Sequence, residues 1–245
     1  MSLKTQSVNR ESVSSARIGV LASITGLIII VLVALDTSHM QMPGLGDLLL
    51  WGGIILVINQ VQRFQKHPLI CGMVMIPVLV LPPGVAVLLV AALSFSPQAG
   101  QAHMNHRVEL LYHLVVGTAA GLAALAYVLV RGSLELTNTA PMADIVIATL
   151  AILAFFASMA LLLKVFPQAK VLPYSTPSVQ PVVLGIQALL LGMLTTFIQH
   201  LYVDPLIGSW GGWSVLFVMS PWLYAYHQVS TQATQVASIH SRLQA

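Results

Sequence analysis

The chain is 245 residues long, with 57% hydrophobic and 7% charged residues and a formal charge of +3. A soluble domain carries about a quarter charged residues, so this composition cannot coat a water-soluble surface. The small positive balance does not point to nucleic acid, because the basic residues stand at the ends of apolar runs, where they report orientation in a bilayer. The single cysteine, Cys71, excludes an internal disulfide framework and a cysteine-based metal cluster.

Crossing a hydrocarbon core of about 30 Å takes about 20 apolar residues in a helix. On that criterion the expected fold is an all-α, polytopic membrane bundle of eight segments, at 18–35, 45–62, 68–82, 83–97, 107–131, 143–166, 181–203 and 207–226. Residues 1–17 read as a cytoplasmic tail, 18–226 as the transmembrane domain and 227–245 as a cytoplasmic exit helix. The first run follows Lys4, Arg10 and Arg17 as a signal peptide would, but it ends in "LDTSHM" instead of a small-residue cleavage site. It is expected to be a retained helix.

The loop after it, "DTSHMQMPG", brings His39, Met40 and Met42 together. Thioether and imidazole groups suit copper, Cu(I) above all. Near the end of the second segment, Asn59 and Gln60 are uncharged polar residues suited to interhelical hydrogen bonds or to a ligand.

The third and fourth segments meet at "LPPG", Leu81 to Gly84, and each is short for a full crossing. Either they form a hairpin, as two short spans or a re-entrant pair, or they are one kinked helix. Charge decides between these. With a hairpin, Lys4, Arg10, Arg17, Arg63, Lys66, Arg107, Lys164, Lys170 and Arg242 share the cytoplasmic side and Arg131 alone lies outside; with one crossing the split is six to four. The positive-inside rule selects the hairpin, with both termini cytoplasmic.

The fifth segment opens with "HMNHRVELLYH". His106 and His113 share a helix face with Gly117, with His103 and Gly121 beside it, at about 100° per residue. Glu109 stands four residues before His113, so one turn offers a carboxylate to orient or charge the imidazole. The cluster fits a metal half-site, a pH-responsive pair or polar residues pinning a helix end. His103, Met104 and His106 would add to the His/Met loop only if both lay on one side of the membrane, which the charge count opposes.

Gly117 and Gly121 in "GTAAG" form a small-xxx-small pair for close helix approach. In the seventh segment Gly185 and Gly192 recur at a seven-residue interval that Gln199 continues, and Gln187 is a polar residue within the span. His200 and Asp204 form a further pair at that segment's far end, on the side opposite His113. Trp210, Trp213, Trp222, Tyr202, Tyr224 and Tyr226 are interfacial anchors. The tail beyond Tyr226 places Val229, Val236 and Leu243 at sevenfold spacing, as a short amphipathic helix would.

No nucleophile elbow, phosphate loop, zinc-peptidase motif or intramembrane carboxylate pair is present, and no lysine or arginine lies mid-span. The chain therefore reads as a non-enzyme that needs no cofactor. The stretches "MIPVLVLPPGVAVLLVAAL" (Met75 to Leu93), "RVELLYHLVVGTAAGLAALAYVLVRG" (Arg107 to Gly132) and "VLFVMSPWLYAYHQV" (Val215 to Val229) give a hydropathy pattern covering about three quarters of the chain. That pattern resembles the bacterial multi-span sensory domains that precede diguanylate cyclase or HD-GYP effectors. The resemblance implies a signal-input domain of the bacterial cytoplasmic membrane that senses a small or lipophilic ligand, or membrane state, and couples through its last helix. Its partners would be the lipid bilayer and a second copy or an effector protein.

Two further readings stand beside it. One is a small-solute transporter or substrate-binding membrane subunit, with the paired short helices lining a cavity. The other is a copper-handling membrane protein, since "HMQMPG" resembles the Met/His stretches of periplasmic copper-handling proteins; copper is a ligand only on this reading.

Overall fold

A computed structural model of the protein describes residues 15–35, 44–65, 72–94, 106–133, 141–167 and 181–203. These residues are helical and contain no strand. The helices are α1 (Ser15–Leu35), α2 (Leu45–Gln65), α3 (Met75–Val80), α4 (Pro83–Leu93), α5 (His106–Ser133), α6 (Pro141–Val165) and α7 (Pro181–Val203). Four of them contain spans long and apolar enough to cross a membrane: Ser15–Leu35, Arg107–Arg131, Met142–Val165 and Leu184–Leu201. The remaining three are shorter or less apolar, and segment 207–226 and the exit helix lie outside the described residues.

The helices are apolar on both their inner and outer faces. Leu27 and Ile30 on α1, Leu150 and Leu161 on α6, and Leu190 and Phe197 on α7 are exposed, while Leu21, Val87, Val115, Ile152 and Ile198 are buried. Water would disfavour such a surface and lipid would not, so the bundle is that of a helical membrane protein.

Close contacts fix the helix directions. A Cβ built on Gly117 would stand 3.6 Å from Thr25 Cγ2, and one on Gly121 would stand 2.6 Å from Ile28 Cγ2, so α1 and α5 run parallel. The Thr25 and Thr118 hydroxyls, 2.7 Å apart, tie the same pair: one donates to the other, which donates in turn to the carbonyl four residues before it, that of Leu21 or Leu114. Helix α4 runs against both. Gly84 lies against Val33, while Ala91 lies against Gly117.

Helix α3 runs alongside α7 in the same direction, with Gly72 just before it against Leu191 and Leu79 bonded to Gln199. The chain therefore reverses at Leu81–Gly84. Proline accounts for the break: Leu81 is extended (φ −86°, ψ 167°), as a residue before proline tends to be, and Pro83 at the first position of α4 needs no hydrogen-bonded N–H. Met75, Ile76, Pro77, Val78 and Leu79 are all buried, so α3 is the central rod of the bundle, touched by α4, α5, α6 and α7.

Among the predicted packing glycines, Gly117, Gly121 and Gly192 sit at close approaches, whereas Gly185 does not. A Cβ on Gly192 would meet Thr149 Oγ1, with Thr149 N at 3.0 Å and Ile145 O at 3.1 Å. A Cβ on Gly185 would meet no described residue within 4 Å. The seven-residue interval therefore marks an interface at Gly192, whereas at Gly185 none of the described helices comes close. Gly192→Ala is expected to cost about 1–3 kcal/mol, as inserted volume does in a close-packed site. Gly185→Ala should stay within about 0.5 kcal/mol of the native chain, as at a site free of such features. Thermal unfolding of the two variants in one detergent measures the difference.

Candidate functional site

The α5 face carrying Glu109, His113, Gly117 and Gly121 changes character along its length, because these residues are four apart and stack with only a slow drift around the helix. In its upper part the two glycines admit α4 and α1. A Cβ on Gly117 would lie 2.8 Å from Ala91 Cβ, a distance no real pair adopts. Two residues beyond Ala91, α4 ends at Leu93, with Ser94 closing the last turn through its N–H to the Val90 carbonyl at 2.9 Å. The antiparallel register thus brings the end of α4 to the level of His113.

At that level the face becomes polar while staying buried. Glu109 is 6% exposed and His113 3%, and Glu109 Oε1 lies 3.9 Å from His113 Nε2. This spacing is inside ion-pair reach but too long for a hydrogen bond. The Tyr112 ring meets the imidazole edge-on, with centroids 5.9 Å apart and planes at 73°. Ser94 is also buried, and its hydroxyl has no hydrogen-bond partner among the described residues. On the α2 side, Leu93 Cδ1 would be 3.1 Å from a Cβ on Gly52, whose neighbour Trp51 is fully buried.

The helix thus holds two ionisable side chains, buried in largely apolar surroundings, within ion-pair reach of each other. Helix α4 contributes no titratable side chain, and Arg17, the titratable residue of α1, is exposed.

A second polar group lies at the opposite end of the bundle. Gln199 Nε2 donates to the Leu79 carbonyl at 2.5 Å and to Tyr127 Oη at 3.0 Å. Arg131 Nη1 donates to the same Tyr127 oxygen at 2.9 Å, its guanidinium carbon 5.8 Å from the ring centroid. His200 Nδ1 lies 2.9 Å from the Thr196 carbonyl on its own helix.

Of the sequence-predicted site residues, Glu109 and His113 are brought together. Gln187 is half-buried on α7, with its carbonyl oxygen unpartnered among the described residues, and it does not join the pair. His106 opens α5 and Asn59 and Gln60 lie on α2, but their side chains fall outside the description. His39, Met40, Met42, His103 and Met104, five members of the His/Met set, lie outside the described residues. Among the described residues no three histidine, cysteine or acidic side chains converge on a metal position.

Sequence reading missed Ser94, Tyr127 and Gln199 as site residues. Gln199 had a signal in its sevenfold spacing from Gly192, and the Pro82-Pro83 pair a second, since it leaves carbonyls that some donor must reach. No protein-family model, curated protein or solved structure matches the chain.

Proposed function

We propose that this protein is a signal-input domain of a bacterial cytoplasmic membrane, built from eight membrane segments with both termini cytoplasmic. Its input acts on the Glu109–His113 pair beneath the end of α4, and its output leaves through the last helix to a partner effector or a second copy. The observation that carries this reading is the buried carboxylate and imidazole 3.9 Å apart in the first two turns of a candidate membrane span. Ionisable groups that face the interior of a membrane bundle are costly and mark candidate sites of function. A change in the pair's proton count or hydrogen bonding alters the packing of α4 on α5, and two packings with different affinity for the input are what a sensor needs.

A dimerisation-dependent reporter fused after Ala245 tests the proposal. Glu109→Gln and His113→Gln should each shift basal output by about threefold or more, which takes a population shift of about 0.7 kcal/mol or more. An acid titration from about pH 7.5 down to about pH 4 should change the output of the native chain and leave His113→Gln flat. Equal basal outputs in all three chains, or an equal pH response in the variant, would reject the reading.

The helix break at Leu81–Gly84 favours transport of a small solute as a second reading, since interrupted helices in membranes often line substrate paths. Solute uptake into vesicles that depends on Gln199, with no change in the reporter, would select it.

A further inference from the structure

The reversal at Leu81–Gly84 creates a demand that the backbone cannot meet. In hydrocarbon an unpaired carbonyl costs several kcal/mol, so irregular backbone survives at depth only where protein groups or water satisfy it. Helix α3 hands one of its last carbonyls, that of Pro77, to the Leu81 N–H at 3.0 Å. The next two, of Val78 and Leu79, would look to residues 82 and 83, and both are prolines without an N–H. Gln199 supplies the donor for Leu79 from α7.

The direction of these bonds is determined by chemistry. A backbone carbonyl only accepts, so the amide nitrogen of Gln199 must face Leu79. Its second N–H then points to Tyr127, whose oxygen also accepts from Arg131. One side chain thereby joins α7, the end of α3 and, through Tyr127, a chain of bonds reaching the half-buried Arg131.

The two arms of the hairpin are held differently. Helix α4 is clamped by glycine contacts: a Cβ on Gly84 would sit 2.5 Å from Val33 Cγ2, and the Gly117 and Gly121 approaches lie further along it. Past the tip the Ala86 N–H bonds Pro82 O at 3.0 Å, within the α4 arm. Among the described residues, the polar tie from the tip end of α3 to another helix is the bond from Gln199 to the Leu79 carbonyl.

We propose that Gln199 is a latch that closes the hairpin tip against water at the Arg131 end of the bundle. With the latch made, the Leu79 carbonyl is satisfied by protein and the tip is dry. With it released, that carbonyl needs water, and the extended Leu81–Pro82 link lets the end of α3 part from α7 and α5 while α4 stays clamped. The proposal does not depend on the signal-input reading, and its test reads accessibility alone.

The experiment uses the full chain in nanodiscs, with Cys71→Ser and Leu81→Cys as background. Leu81 is 4% exposed, so a thiol there reports opening of the tip. Labelling by a charged, membrane-impermeant maleimide should be slow with Gln199 present and about fivefold to tenfold faster with Gln199→Leu, the range expected for one buried hydrogen bond. Tyr127→Phe, which removes the oxygen that both Gln199 and Arg131 bond, should give a smaller acceleration. Unchanged labelling in a folded Gln199→Leu chain overturns the latch. If that variant does not fold, Tyr127→Phe decides: a rate equal to the native one overturns it, and a faster rate supports it.

Discussion

Alanine at position 117 is expected to damage the fold, and glycine at position 91 is expected to repair most of that damage. A Cβ on Gly117 would lie 2.8 Å from Ala91 Cβ and 3.4 Å from Ala91 Cα. Alanine has no rotamer with which to yield, so helix α4 must move away from α5, disturbing its contacts with α1 at Gly84 as well. Overpacking of this kind costs about 1–3 kcal/mol, at times more, and the upper end applies where backbone must shift. Ala91→Gly alone should cost about 1 kcal/mol through backbone entropy. In the double variant the methyl group has only changed sides of the interface, so the total should fall well below the sum of the singles. Unfolding free energies for the four chains, measured by one method in one detergent, give the coupling, and neighbours in contact show interaction terms of about 0.5–3 kcal/mol. Additive costs would mean that α4 does not face α5 in this register.

The same interface shows what was legible in the sequence. A small-xxx-small pair identifies a close-packing face wherever it occurs, and Gly117 and Gly121 are part of one. Sequence spacing cannot name the neighbour, which proves to be α4 at Gly117 and α1 at Gly121. Gly185 shows the limit from the other side, because the same residue type in another apolar helix meets no neighbour among the described residues. The chain reversal was legible from Pro82, Pro83 and the distribution of lysine and arginine, since two successive prolines end a helix and a reversal changes the parity of every later segment.

The candidate site was legible only as far as one helix carries it. Glu109 and His113 meet because they are one turn apart, a local relation that any helix imposes. Ser94 reaches their level through the antiparallel register of α4, and no pattern along the chain encodes that distance. Gln199 was visible as a polar residue in a sevenfold series, and its partner Leu79 was not, because the atom it binds is a backbone carbonyl and carries no residue signature. The separation of His200 from His113 was legible, since helix direction alone places them at opposite ends. Among the described residues, four helices meet the length and hydropathy of a span.

Breaking the Glu109–His113 pair from one side is expected to cost more than removing it altogether. Both residues are buried, at 6% and 3% exposure, and their polar atoms lie 3.9 Å apart. Glu109→Leu and His113→Leu each take from the remaining buried polar group a neighbour within ion-pair reach. A buried polar group deprived of its partner costs about 1–3 kcal/mol, and one that keeps its charge about 3–5 kcal/mol. The double variant Glu109→Leu/His113→Leu removes both groups and fills their volume with hydrocarbon, so it should be more stable than either single variant, and it can approach or exceed the native chain. The same double variant should hold the fused reporter at one level at every pH, because both titratable groups of the pair are gone. Stability and response therefore separate. If the double variant is the least stable of the four chains, the two side chains are not coupled. A stable double variant that still responds to pH would place the input elsewhere in the protein.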